Sequence, residues 1–276
     1  MGQQPNGGAR ALLMAALGAA RAGRLQEADD LIGRVLAVEP NNAEALHMQG
    51  ALFLQAGDAE RALGPLKRAF DAMPDHAGIA ANYGIALAEH GQADEAEPVL
   101  RRAAGAAPAN PQALLNLALL VKRNGEAEEA EALLRRAVDV APAYPRAWLE
   151  LGVLVAELKG DDDALGCFEK ALETDPQHPG ARFNAAMACQ RLHRFDDALA
   201  HYEACRDALA QNPDLYFGLG LCLQEVGRVD EAIEVYRDLL AMAPDAYRIV
   251  LKNLTSGSSG MVCLKPTDLR RRLGMA

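Results

Sequence analysis

The side chains able to do chemistry are few and scattered. Six histidines stand at His47, His76, His90, His178, His193 and His201, and none is spaced from a cysteine or carboxylate as metal ligands are. The five cysteines include no CxxC pair, and the sequence holds no HExxH, P-loop, GxSxG or dinucleotide fingerprint. Asp161, Asp162 and Asp163 form an acidic run that could hold a hard cation or cap a helix; their place between two helical stretches favours capping. The remaining chemistry is non-covalent. Asn82, Asn116 and Asn184 recur at one structural place, and an amide both donates to and accepts from a peptide backbone. Catalysis, a metal and a cofactor are therefore not expected, and binding is.

The elements that must position these residues follow a fixed period. Ala28, Ala62, Ala96, Ala130, Ala164, Ala198 and Ala232 succeed one another every 34 residues. Pro40, Pro74, Pro108, Pro142, Pro176 and Pro244 follow them, with Ala210 in the sixth copy. With blocks starting at 9, 43, 77, 111, 145, 179 and 213, the eighth place is always small: Ala16, Gly50, Gly84, Ala118, Gly152, Ala186 and Gly220. The twenty-fourth place is large, from Ile32 and Leu66 to Tyr202 and Tyr236. A small residue opposite a large one lets two helices touch closely. Gly23, Gly57, Gly91, Gly125 and Gly227 mark the turn between them, as a glycine past a helix end does. The fifth and sixth copies have Lys159 and His193 there, and Gly160 can serve by a shift of one.

This period and its Gly, Ala and Pro places resemble the tetratricopeptide repeat family over residues 9–246. The resemblance implies an all-α fold, a right-handed superhelical solenoid of antiparallel helix pairs. Seven repeats are expected at 9–42, 43–76, 77–110, 111–144, 145–178, 179–212 and 213–246. Residues 1–8 are polar and glycine-rich and are expected to be disordered. Residues 247–276 lie outside the repeats. A capping helix read over 245–254 overlaps the end of the last repeat, 255–260 reads as a linker, and the rest as a basic tail matching no repeat.

Composition agrees with a helical array: half the 276 residues are apolar and few are aromatic. A net charge of −10 argues against a nucleic-acid binder. The tail nevertheless carries six basic residues against Asp268, and so could fold back on the acidic repeats, pair with another copy or meet an anionic partner. No apolar run is long enough for a membrane span. The stretch 11–20 imitates a signal peptide, but Leu12, Ala16 and Ala19 fall in repeat register. Unpaired cysteines suit a reducing compartment, so the location expected is cytoplasmic, with the periplasm as the alternative if that stretch is a signal.

In the family, first helices line a concave groove that holds a peptide. The fifth place here offers Leu115, Leu149, Phe183 and Phe217, and the ninth Ile85, Leu119, Val153, Met187 and Leu221. All seven ninth-place residues are apolar where relatives often carry a polar one, which predicts an exposed apolar strip. Asn82, Asn116 and Asn184 at the sixth place resemble the asparagine ladder of the repeats attached to O-linked N-acetylglucosamine transferases. Arg123 adds charge at the thirteenth place. The Lys, Asn and Arg clamp of chaperone-binding relatives is absent. The resemblance implies a non-enzymatic interaction scaffold taking an apolar or amphipathic segment of a protein or peptide partner. A self-assembling adaptor and an accessory, substrate-presenting subunit of a glycosyl- or sulfotransferase remain alternatives.

Overall fold

A computed structural model describes residues 7–106, 109–256, 269 and 271–274. Pro108 and the apolar tail run 261–264 lie outside the described residues. The described residues form helices joined by short turns, with no strand. The chain divides into two compact units, Met1–Ala141 and Pro142–Ala276. The first unit holds four antiparallel pairs. These are α1 (Gly7–Arg21) with α2 (Leu25–Val38), α3 (Ala43–Gln55) with α4 (Ala59–Ala72), α5 (Ala77–Glu89) with α6 (Ala93–Ala104), and α7 (Pro111–Arg123) with α8 (Ala127–Val140). The second unit pairs α9 (Pro145–Leu158) with α10 (Asp161–Thr174), α11 (Pro179–Arg191) with α12 (Phe195–Cys205), and α13 (Pro213–Glu225) with α14 (Val229–Met242), and ends in α15 (Tyr247–Ser256). Helix α1 begins at Gly7, inside the stretch expected to be disordered.

The period becomes packing through the eighth and twenty-fourth places. A Cβ on Gly50 would lie 2.3 Å from Leu66, one on Gly84 2.7 Å from Leu100, and one on Gly152 2.5 Å from Phe168. On Gly220 it would lie 2.5 Å from the Tyr236 ring. Each large residue thus sits directly on the backbone of its partner helix. The alanine ladder from Ala28 to Ala232 is fully buried, as are Ile32, Leu66, Leu100 and Tyr236.

Helix starts are set by side chains that accept backbone N–H groups: Asn42 from Ala45, Asp58 from Arg61, His76 from Ile79, Asn110 from Ala113, and His178 from Ala181. The acidic run corrects the expectation of capping. Gly160 holds the cap position of α10, and Asp161, Asp162 and Asp163 fill its first turn without a side-chain cap. They favour the positive end of the helix dipole there, and Asp161 accepts from Arg191 at 2.7 Å. Gly160 does take the turn in the fifth repeat, with φ +107°. In the sixth repeat His193 is held at φ +58°, a left-handed backbone otherwise occupied by glycines among the described residues. That repeat also has the shortened helix α12, of 11 residues against 14 in α10 and α14.

The C-terminal segment proves to be in register. Val250, Leu254 and Leu273 stand 34 residues after Tyr216, Gly220 and Leu239, and all three are buried. Buried Leu269 lies one turn before Leu273. Arg272 pairs with Asp230 of α14, and its carbonyl accepts from Arg237 Nη2 at 2.7 Å. Of the three fates open to the basic tail, this part folds back on its own last repeat, where Arg272 is held by α14.

Gly220→Ala should lower stability by about 1–3 kcal/mol, because its methyl meets the Tyr236 ring. Gly33→Ala, with nothing within 4 Å, should raise it by about 0.5–1 kcal/mol. Thermal melting followed by circular dichroism separates the two signs. His193→Gly should gain about 1 kcal/mol by relieving the left-handed backbone, read as a higher urea midpoint.

Candidate functional site

Places five, six, nine and thirteen of each first helix fall on one stripe or its edge, because steps of three and four residues return to the same helix face. In the first unit, α1, α3, α5 and α7 lie side by side; in the second, α9, α11 and α13 do so. The candidate residues are therefore gathered on a first-helix face within each unit.

The two faces differ. In the first unit Leu115 is 0% and Ile85 3% exposed, so both belong to the core and offer no contact area. Leu119 stays half-buried on α7, beside half-buried Asn116 and exposed Arg123. In the second unit Leu149, Val153, Phe183, Met187, Phe217 and Leu221 are all half-buried. The Phe183 ring meets Tyr202 edge-on, with centroids 6.0 Å apart. Leu149 leans over Gly180, where an added Cβ would stand 3.3 Å from it. The apolar strip predicted across all seven repeats is thus interrupted at Ala81 and Ile85, which are buried, and is fullest on α9, α11 and α13.

The asparagines are partly committed. Asn116 donates its amide to Gln112 O and Asn184 donates to Gly180 O, each at 2.8 Å, one turn back on the same helix. Asn82 Nδ2 lies 2.9 Å from His47 Nε2 and donates to it. Each amide keeps one N–H and its Oδ1, so the internal bond orients what is left for a ligand. Sequence spacing gave no sign of these bonds, since an i−4 backbone acceptor is available to any helical Asn.

His47 is the unforeseen member of the group. It occupies the fifth place of α3, and its ring meets that of His76 with centroids 5.9 Å apart. Burial, and next the neighbouring His76, hold its pKa below the ordinary histidine value. A neutral ring is also what lets Nε2 accept from Asn82. Arg191, at the thirteenth place of α11, is tied to Asp161. The thiols of Cys189, Cys205 and Cys222 are buried, and burial pushes Cys222 up to about 12, which unsuits it as a nucleophile. Among the described residues no three His, Cys, Asp or Glu side chains gather as metal ligands would.

Two neighbouring exposed apolar side chains on a first-helix face lie in the first repeat, which the candidate residues omit. Met14 is 65% and Leu17 37% exposed on α1. They line up with Met48 and Ala51 of α3 at the sixth and ninth places. The signal for them was legible as methionines at successive sixth places.

Comparison with known proteins agrees with this geometry. The tetratricopeptide repeat profile matches four overlapping segments, 13–77, 47–111, 81–145 and 115–179, and that of the YpiA-like C-terminal tetratricopeptide repeats matches 179–246. The chain belongs to the tetratricopeptide repeat family. No curated protein sequence matches it significantly. Among solved structures, PilF of Pseudomonas aeruginosa is 23% identical with TM-score 0.66, covering 73% of this chain and 92% of its own. PilW, described as a widely conserved type IV pilus biogenesis factor, is 20% identical with TM-score 0.65, covering 73% and 94%. MamA from Desulfovibrio magneticus RS-1 is 23% identical with TM-score 0.52, covering 63% and 99%. These likenesses establish the tetratricopeptide solenoid fold.

The histidine geometry carries a pH dependence. A histidine whose pKa is depressed on folding binds fewer protons folded than unfolded, so stability is full above 6.5 and falls as pH drops below it. Protonation also removes the acceptor for Asn82. The melting temperature should therefore fall from pH 7 to pH 5, and His47→Gln should lose part of that slope. An identical slope in the variant would remove His47 from the account.

Proposed function

We propose that this protein is a non-enzymatic protein-interaction scaffold whose first-helix face takes an apolar or amphipathic segment of a protein partner. The observation that supports the reading is the row of six half-buried apolar side chains on α9, α11 and α13: Leu149, Val153, Phe183, Met187, Phe217 and Leu221. Apolar groups left partly wet at one repeated place on three neighbouring helices form a contact surface rather than scattered exposure. On this reading Asn184 offers its remaining N–H and Oδ1 to the partner's backbone. On the first unit's face Asn82, Asn116, Leu119 and Arg123 have the corresponding parts.

Covering ~400 Å² of apolar surface would be worth ~10 kcal/mol before the costs of association, which consume much of it. A micromolar partner is consistent with that balance. Among the described residues Cys189, Cys205 and Cys222 are buried thiols outside any disulfide, which fits a reducing compartment, and the cytoplasm is the location proposed. No helix of the described residues is long and apolar enough to cross a membrane.

The test compares proteins captured from a lysate by the wild type, Phe217→Asp and Leu119→Asp, with helical content checked for each. A partner lost from Phe217→Asp establishes the second unit's face as the site. A partner lost only from Leu119→Asp moves it to the first unit. Identical captured sets from all three move binding away from both faces.

A further inference from the structure

Helix α1 presents a stripe that the packing of the described residues does not use. Arg10, Met14, Leu17 and Arg21 follow one another at steps of four, three and four residues, which is one face of a helix. The buried residues Leu13, Ala16 and Ala19 lie on the other side, against α2 and α3. On the stripe itself Met14 and Leu17 are exposed, and of the large apolar side chains so exposed among the described residues they are the two that adjoin on one helix face. Both flanking arginines are exposed and make no ion pair among the described residues. Several arginines elsewhere are engaged, Arg101 with Glu97 and Glu129, Arg191 with Asp161, and Arg206 with Asp238, so their charge is spent within the chain as that of Arg10 and Arg21 is not. The adjoining helix does not neutralise the pair either. Its sixth, ninth and thirteenth places are Met48, Ala51 and Gln55, and its one acid, Glu44, forms no ion pair with Arg10.

Beside the stripe lies a cavity of about 320 Å³. It is walled by Leu17, Met48 and Ala51, with buried Ile32 and Leu52 behind them and Arg21 also in its lining. An apolar side chain can enter it, which a flat lipid surface would not require. Methionines adapt their shape to an incoming helix more readily than branched residues do.

We propose that the α1–α3 face is a docking site for an amphipathic helix of a protein partner whose apolar ridge is flanked by acidic residues. The complementary ridge is Glu, Leu, Leu, Glu at steps of four, three and four. Its acids then stand about 16 Å apart, the rise over eleven helical residues, and match Arg10 and Arg21. The leucines cover Met14 and Leu17, one of them entering the cavity. This deepens the scaffold reading and rests on it, but it uses helices and residues separate from the face of the second unit.

The test is fluorescence anisotropy on the full chain with an alanine-rich helical peptide of about 18 residues carrying that ridge, and with its counterpart carrying Lys in place of Glu. The Glu peptide should bind about tenfold more tightly, as two screened ion pairs allow. The double variant Arg10→Glu, Arg21→Glu should reverse the preference. Leu17→Asp, at a site already exposed, should abolish binding of both with helicity unchanged. Equal affinity for the two peptides, or a preference that survives charge reversal, overturns the proposal. So does binding to phosphatidylglycerol vesicles in place of the Glu peptide, or a mass in solution that falls to the monomer's only in Leu17→Asp, since a lipid surface or a second copy would then be the occupant. Phe217→Asp should leave the peptide's affinity unchanged. The scaffold reading fails separately, when lysate capture is insensitive to every first-helix substitution.

Discussion

The structure depends on one close contact: a small residue at the eighth place of each first helix against a large one at the twenty-fourth place of its partner. Gly50 on Leu66, Gly84 on Leu100, Gly152 on Phe168 and Gly220 on Tyr236 are so close that a single methyl would collide. This proximity brings two helical backbones together and turns the large side chain from a filler of one pair into the floor of the next. The buried alanine ladder serves the same end from the second helix. A pair built this way leaves an apolar flank on each side, and so must have neighbours.

That requirement explains the C-terminal end. Val250, Leu254 and Leu273 take the places of Tyr216, Gly220 and Leu239, with a leucine where the fold otherwise demands a small residue. The tail's charge supplies an anchor through Arg272 on Asp230 and Arg237 on the Arg272 carbonyl. Arg272, which looks in the sequence like part of a handle for an outside partner, thus serves the array's own closure.

The same economy runs through the first-helix faces. Each of the three candidate asparagines gives one N–H away within the chain, which fixes the amide plane. Arg191 is absorbed by Asp161, whereas Arg10 and Arg21 are not absorbed by anything among the described residues. The two arginines flank exposed Met14 and Leu17 on one helix face, so charge and apolar surface coincide there.

How much was legible in the sequence follows from which forces are local. The period, the helix pairing, the turn glycines and the shift to Gly160 were readable, because they depend on residue size and backbone freedom at fixed spacing. By itself the sequence determined the repeats and the identity of the first-helix stripe. Tertiary structure alone decided which members of that stripe stay wet. Leu115 and Leu119 stand four residues apart and are chemically identical, yet one is fully buried and the other half-buried, because a turn of rotation against a neighbouring helix is settled by packing. It also decided that Asn82 meets His47 across 35 residues, that Asp161 pairs with Arg191 of α11 while Gly160 takes the cap of α10, and that Arg272 of the tail returns to α14. Each is a contact between elements far apart in the chain, and spacing along one helix holds no record of its neighbour's side chains.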